Sequence, residues 1–105
     1  MTRSELEVAF LAFLDAHGLP RPRTNHRIDL ASGEQPWVDA AWPDHRLIAE
    51  LDSYGIRTTR RNFEEARARD RALTTAGWRV VRITWRQLRH DATPLAAQLG
   101  TLLGR

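Results

Sequence analysis

Three acidic residues fall close together in predicted strands of this 105-residue chain. Glu50 and Asp52 are two residues apart, so in a β-strand both side chains leave the same face. A hairpin that turns at 44–45 puts Asp39 directly opposite Glu50, with Cβ atoms about 5 Å apart. Carboxylates in one patch repel one another unless a cation or protons intervene, and oxygen ligands suit Mg²⁺ or Mn²⁺. The spacing is compatible with a metal site formed by these three acids; alternatively Asp39 pairs with an arginine and the other two face solvent, since acids two residues apart are common on exposed strand faces.

The composition excludes several classes of protein. The chain has no cysteine, which excludes a disulfide scaffold, a thiolate zinc site and cysteine-based catalysis. No apolar run approaches the roughly 20 residues of a membrane span, and the first residues lack the pattern of a secretory signal. We therefore expect one domain over residues 1–105, located in the cytoplasm and with no membrane contact.

The charges are distributed unevenly along the chain. All sixteen basic residues are arginine. Residues 1–56 hold five arginines and nine acids, a net of −4, whereas residues 57–105 hold eleven arginines and four acids, a net of +7. An arginine-rich half suggests a surface for a polyanion such as DNA, although solvated helix faces would give the same composition. The candidates for contact with nucleic acid are Arg57, Arg60, Arg61, Arg82 and Arg86.

The hydrophobic pattern predicts the order α-β-β-β-α-β-α. The predicted bounds are a helix over 5–17 capped by Ser4 and Glu7, strands over 24–31, 37–42 and 46–52, a helix over 60–76, a strand over 78–85 and a last helix beginning at Thr93-Pro94. Short turns favour an antiparallel meander for the first three strands. The fourth strand follows a long helix and is expected to join by a right-handed crossover. The predicted fold class is therefore α/β, with a mixed four-stranded sheet flanked by helices.

Three segments, in order, resemble the Vsr-like (very-short-patch-repair-like) endonuclease domains of the PD-(D/E)XK nuclease superfamily. The segments are Val38-Asp39 with Trp42-Pro43-Asp44-His45-Arg46-Leu47-Ile48-Ala49-Glu50-Leu51-Asp52; Phe63-Glu64 with Arg69-Asp70-Arg71-Ala72-Leu73; and Ala76-Gly77-Trp78-Arg79-Val80-Val81-Arg82-Ile83-Thr84-Trp85. The opening Ser4-Glu5-Leu6-Glu7 with Phe10 is similar to the first helix of that family. The resemblance covers nearly the whole chain and implies a restriction-endonuclease-like αβββαβ core, here followed by a further helix.

The resemblance also implies an activity and a set of roles. It implies hydrolysis of DNA phosphodiester bonds with Mg²⁺, or Mn²⁺, held by Asp39 and Glu50. Asp52 would stand where many members of the superfamily have a lysine, and Glu7 would reach in from the first helix. The metal would acidify a water molecule and neutralise charge that develops on the phosphate.

Departures from the family pattern leave a second interpretation open. Ser53 and Arg57 stand where the family usually has a glycine and a histidine, Ala66 replaces an acid, and the chain has no lysine. Arginine stays protonated and is a poor general base. The main hypothesis is therefore a metal-dependent endonuclease, whose activity these departures would weaken. The alternative is a degenerate nuclease-fold module that binds nucleic acid or a protein partner, including a second copy of itself.

Overall fold

A computed structural model describes residues 2–52 and 59–105 of the chain as a sheet flanked by helices. The elements in chain order are α1 (Arg3–Ala16), β1 (Arg23–Arg27), β2 (Trp37–Trp42), a 3-10 turn (Pro43–His45), β3 (Leu47–Asp52), α2 (Arg60–Thr75), β4 (Arg79–Thr84), α3 (Trp85–His90) and α4 (Ala92–Leu102). The strands lie in the order β1-β2-β3-β4. Strands β1, β2 and β3 are antiparallel neighbours, and β4 pairs parallel to β3. The predicted mixed four-stranded α/β sheet with flanking helices is confirmed.

The alternation of β3 separates the two faces of the sheet. On one face, Leu47, Ala49 and Leu51 join a large apolar cluster with side chains of α1 and α4. On the other face, Ile48 packs in a smaller cluster that includes Leu73 of α2. Because side chains alternate along a strand, Glu50 and Asp52 share one face, as the sequence predicted, and the structure shows that α2 covers that face.

Helix boundaries account for the main differences from the sequence prediction. The first helix begins at Arg3, and the hydroxyl of Thr2 caps it by accepting the Glu5 amide at 3.1 Å, so the predicted Ser4 cap is wrong. Thr2 competes successfully because it also carries a capping hydroxyl. Gly77, where the second helix was expected to stop, has a φ of +95° that suits glycine. Within the described ranges, none of the helices is long and apolar enough to cross a membrane.

A short helix that the hydrophobic pattern did not predict follows β4 directly. A strand was expected to continue through Trp85, but α3 begins there. Thr84 and Gln87 form a reciprocal capping box, in which each side chain accepts the backbone amide of the other residue. A separate helix, α4, then follows and closes the large apolar cluster with Leu95 and Leu99.

Candidate active site

Asp39 and Glu50 lie on neighbouring strands and are both buried. Ala40 pairs with Ala49, and the same register continued by one residue places Asp39 across from Glu50. The two residues are only 6% and 4% exposed, and they are the buried charged residues of the described chain. The expectation that acids on β3 simply face solvent does not hold for Glu50. Burying an ionised carboxylate costs free energy unless it is paired, so Asp39 and Glu50 are expected to have partners in the fold.

Asp39 is held from two sides. Its Oδ2 atom accepts the backbone amide of Leu51 at 2.8 Å, which ties the carboxylate to β3. Its Oδ1 atom forms an ion pair with a terminal nitrogen of Arg3, at the start of α1. Asn25, level with Asp39 in the β1–β2 register, has a φ of 48°, so the strand is irregular beside this carboxylate. The backbone therefore fixes Asp39, while an arginine neutralises it.

Glu50 is paired with an arginine of α2. Arg69 donates through Nη2 to Glu50 Oε1 at 2.7 Å and through Nη1 to the carbonyl of Trp37 at 3.3 Å. Burial raises the pKa of Glu50 above its usual range, although the guanidinium groups of Arg69 and Arg82 act in the opposite direction. The desolvation cost therefore exceeds the stabilisation that the arginines provide.

Asp70 of α2 is a further carboxylate near the site, and it pairs with two arginines. Arg82 donates to both oxygens of Asp70 at 3.2 and 3.0 Å, and Arg67 lies 3.2 Å from Asp70 Oδ2. Arg82 also stands beside Glu50 in the parallel register of β3 and β4. Arg67 and Asp70 are three residues apart on α2, a spacing that brings their side chains together. A network of ion pairs thus extends from the sheet to the outer side of α2.

The other two predicted acids are less buried than this pair. Asp52 is half-buried, pairs with Thr84 across β3 and β4, and shares a sheet face with Glu50. Glu7 is half-buried on α1, the helix whose Leu6 and Phe10 pack on the opposite, apolar face. In the described part of the chain, no three Asp, Glu or His side chains are grouped in a way that holds a metal ion. The roles of Asp52 and Glu7 remain predictions.

The predicted contacts with nucleic acid fall in three environments. Arg60 and Arg61 are exposed near the start of α2 and pair with Glu64 at 3.5 Å and Glu65 at 3.0 Å. Arg86 is exposed on α3. Arg82 is instead half-buried against Asp70, and Arg57 lies outside the described residues.

Sequence reasoning did not predict that Arg3 and Arg69 pair with Asp39 and Glu50. Arg69 and Glu50 are separated by nineteen residues, and Arg3 and Asp39 by an even longer stretch of chain. Spacing rules detect partners on one helix or on adjacent strands, and neither pair is of that kind. The signal that was present is the Arg69-Asp70 dipeptide inside the segment that resembles the nuclease family.

Comparisons with known proteins support the fold. The catalytic domain of the homing endonuclease I-Bth0305I is similar in structure, with a TM-score of 0.65 and 19% identity over 91% of this chain and 90% of that one. No family model matches the chain. Two uncharacterized proteins of Mycobacterium tuberculosis, from two strains, are each 35% identical over 97 residues. These residues are 92% of this chain but only 35% of each relative, so the chain spans about a third of their length. The fold is thus similar to that of a nuclease catalytic domain, whereas the Vsr-like subtype and the single-domain organisation remain predictions.

Proposed function

We propose that this domain is a divalent-metal-dependent endonuclease that hydrolyses phosphodiester bonds of DNA. The observation that carries the proposal is the pair of buried carboxylates, Asp39 and Glu50, at neighbouring positions of β2 and β3. Buried acids reduce the stability of a fold, since each carboxylate must leave water. A nuclease-type sheet with this pair on it supports a catalytic use for them.

The donor set fits Mg²⁺ or Mn²⁺. Mg²⁺ usually keeps several waters and binds proteins through one or two carboxylates together with phosphates of the substrate. Asp39 and Glu50 supply two such carboxylates, and Asp52 is the candidate third. Both buried acids already attract a cation, since Arg3 and Arg69 pair with them. A bound metal would acidify a water molecule for attack on phosphorus and stabilise the charge that develops on the phosphate.

The remaining tasks fall to residues of the chain itself. The Leu51 amide holds Oδ2 of Asp39 and so fixes the orientation of the carboxylate; Oδ1, which pairs with Arg3, is the oxygen that would bind the metal. The guanidinium of Arg69 lies beside Glu50 and stabilises negative charge on phosphate oxygens by forked hydrogen bonds. Arg60 and Arg61, exposed on α2, and Arg86, exposed on α3, attract the DNA backbone.

The test is cleavage of supercoiled plasmid in Mg²⁺ and in Mn²⁺ with the purified protein. We expect nicked and linear products from wild type, none in EDTA, and none from Glu50→Gln, which keeps the shape of the side chain and removes its charge. Glu64→Gln, an exposed acid of α2, is the matched control and should cut normally. Equal cleavage by Glu50→Gln and wild type contradicts the proposal.

One observation favours the alternative of a non-catalytic module that binds nucleic acid. Arg3 and Arg69 neutralise both carboxylates in the structure, as they would in a domain that no longer binds metal. This alternative predicts DNA binding that is equal in EDTA and in Mn²⁺, with no cleavage in either. A protein partner or a second copy of the chain remains a prediction that size-exclusion chromatography would test.

A further inference from the structure

We propose that Arg3 and Arg69 are exchangeable partners of the catalytic carboxylates. They neutralise Asp39 and Glu50 while no divalent cation is bound, and they pair with phosphate oxygens of the nucleic acid when one is bound. This inference rests on the proposed function, because it takes Asp39 and Glu50 as the ligands of the cation.

The two sides of each ion pair differ in their freedom to move. The side chains of Asp39 and Glu50 are 7% and 5% exposed, whereas those of Arg3 and Arg69 are 60% and 38% exposed. The Leu51 amide additionally anchors Asp39. Arginine side chains are long and have many rotamers, so a guanidinium group can leave its partner while the rest of the residue stays in place. The carboxylates are therefore fixed, and the guanidinium groups are the movable components.

The charges balance in both states. Two carboxylates and two guanidinium groups sum to zero, and two carboxylates with one divalent cation also sum to zero. When the cation is bound, Arg3 and Arg69 are left with two positive charges and no partner. A phosphodiester supplies one negative charge and gains a second as an oxygen nucleophile adds to phosphorus, which the two guanidinium groups match.

Arg69 has the contacts that such an exchange requires. Its bond to the Trp37 carbonyl, at 3.3 Å, does not involve Glu50, so it can keep the side chain near the site after the carboxylate is released. Within residues 2–52 and 59–105, its Nε atom is shielded from solvent and has no hydrogen-bond partner. Trp37 is 61% exposed, so this part of the site lies at the surface that a nucleic acid can reach.

The exchange makes metal and nucleic acid bind with positive coupling. A cation that binds Asp39 and Glu50 displaces the two guanidinium groups, which can then bind phosphate. Conversely, phosphate that binds the guanidinium groups leaves the carboxylates free to bind the cation. Linkage requires the coupling to be the same in both directions. Removal of an arginine should therefore strengthen metal binding, since a competitor is lost, and weaken the coupling.

The experiment measures Mn²⁺ binding by calorimetry and DNA binding by fluorescence anisotropy. The proteins are wild type, Arg69→Gln, Arg3→Gln and the control Arg21→Gln, which removes an arginine whose pair with Asp15 is exposed. We expect Arg69→Gln and Arg3→Gln to bind Mn²⁺ more tightly than wild type, by about 5-fold in the range typical of coupled sites. Wild type should bind a labelled duplex about 5-fold more tightly in Ca²⁺ than in EDTA, and Arg69→Gln should lose that gain.

The outcomes separate this inference from the proposed function. If wild type binds Mn²⁺ but both variants bind it no more tightly, the exchange is wrong and the metal site stands. If wild type binds no Mn²⁺, the proposed function is wrong and the exchange with it. Circular dichroism establishes that each variant is folded, and Arg3→Gln, at the exposed start of α1, provides the second test should Arg69→Gln unfold.

Discussion

The two faces of the sheet perform different tasks. The face covered by α1 and α4 holds fourteen buried apolar residues in one cluster, and α3 packs against its margin. The face covered by α2 holds only six, and Leu73 is the buried residue of that helix. The α2 face carries Glu50 and the ion pairs of Arg69, Asp70 and Arg82. One face thus supplies most of the hydrophobic stabilisation, which allows the other to bury charges that oppose folding.

The largest expected effect is on catalysis, from one of the two buried carboxylates. Asp39→Asn should reduce Mn²⁺-dependent cleavage by about 10²-fold or more, because the loss of a metal ligand removes several kcal/mol of transition-state stabilisation. Single-turnover cleavage rates measure this effect. Asp44→Asn changes an exposed acid of the 3-10 turn and should cut at the wild-type rate. A similar decrease in both variants would place the site elsewhere.

The next effect is on stability, from the apolar face. Phe10 is 1% exposed and contacts Trp42 edge to face at 6.2 Å. Phe10→Ala should lower the free energy of unfolding by about 3–5 kcal/mol, through lost burial and the cavity it leaves. Urea denaturation gives this value. Val8→Ala, at a 69% exposed position of the same helix, should cost well under about 1 kcal/mol. Equal losses from the two variants would contradict the placement of the core.

A third expected effect concerns the pH dependence of stability and tests whether the buried carboxylate of Glu50 opposes folding. Burial raises the pKa of Glu50, so the folded state holds this proton more tightly than the unfolded state does. Protonation of Glu50 therefore adds to the free energy of unfolding. This contribution is complete below the ordinary glutamate pKa and is lost as the pH rises through the raised pKa of Glu50. The Tm of Glu50→Gln relative to wild type should therefore increase between pH 4 and pH 7.5. A relative Tm that falls over this range would mean that the pairing with Arg69 outweighs desolvation.

The smallest effect on stability concerns exposed arginines of α2. The pairs of Arg60 and Arg61 with Glu64 and Glu65 are exposed and worth about 0.3–0.5 kcal/mol each. Replacing both arginines with glutamine should leave the Tm nearly unchanged. The slope of log DNA affinity against log salt concentration should decrease by the amount expected for about two phosphate contacts. The anisotropy titration is repeated at several salt concentrations. An unchanged slope would mean that Arg60 and Arg61 do not contact the DNA backbone.

The sheet was predictable because its signals are local. The short turn between β2 and β3 sets the register, which places Asp39 across from Glu50, and alternation assigns Leu47 and Ile48 to opposite faces. The boundary at Trp85 was missed because Trp85 continues the apolar alternation of Val81 and Ile83, although Thr84 and Gln87 have the spacing of a capping box.

The candidate site was predictable only in its acids. Paired carboxylates leave a signal in spacing, but their arginine partners are chosen by tertiary contact. Sixteen arginines give no local reason to select Arg3 and Arg69. Arg82 was predicted to contact DNA, and its pair with Asp70 is a tertiary contact that the sequence did not indicate; the contact with DNA stays a prediction.

Calorimetric titration of Mn²⁺ into the protein tests most directly whether Asp39 and Glu50 hold a metal. We expect saturable binding to wild type and to Glu64→Gln, whose substitution lies on the exposed side of α2. Binding to Glu50→Gln should be at least about 10-fold weaker, since one of two charged ligands is lost. Equal Mn²⁺ affinity in wild type and Glu50→Gln, or no binding to either, would contradict the account.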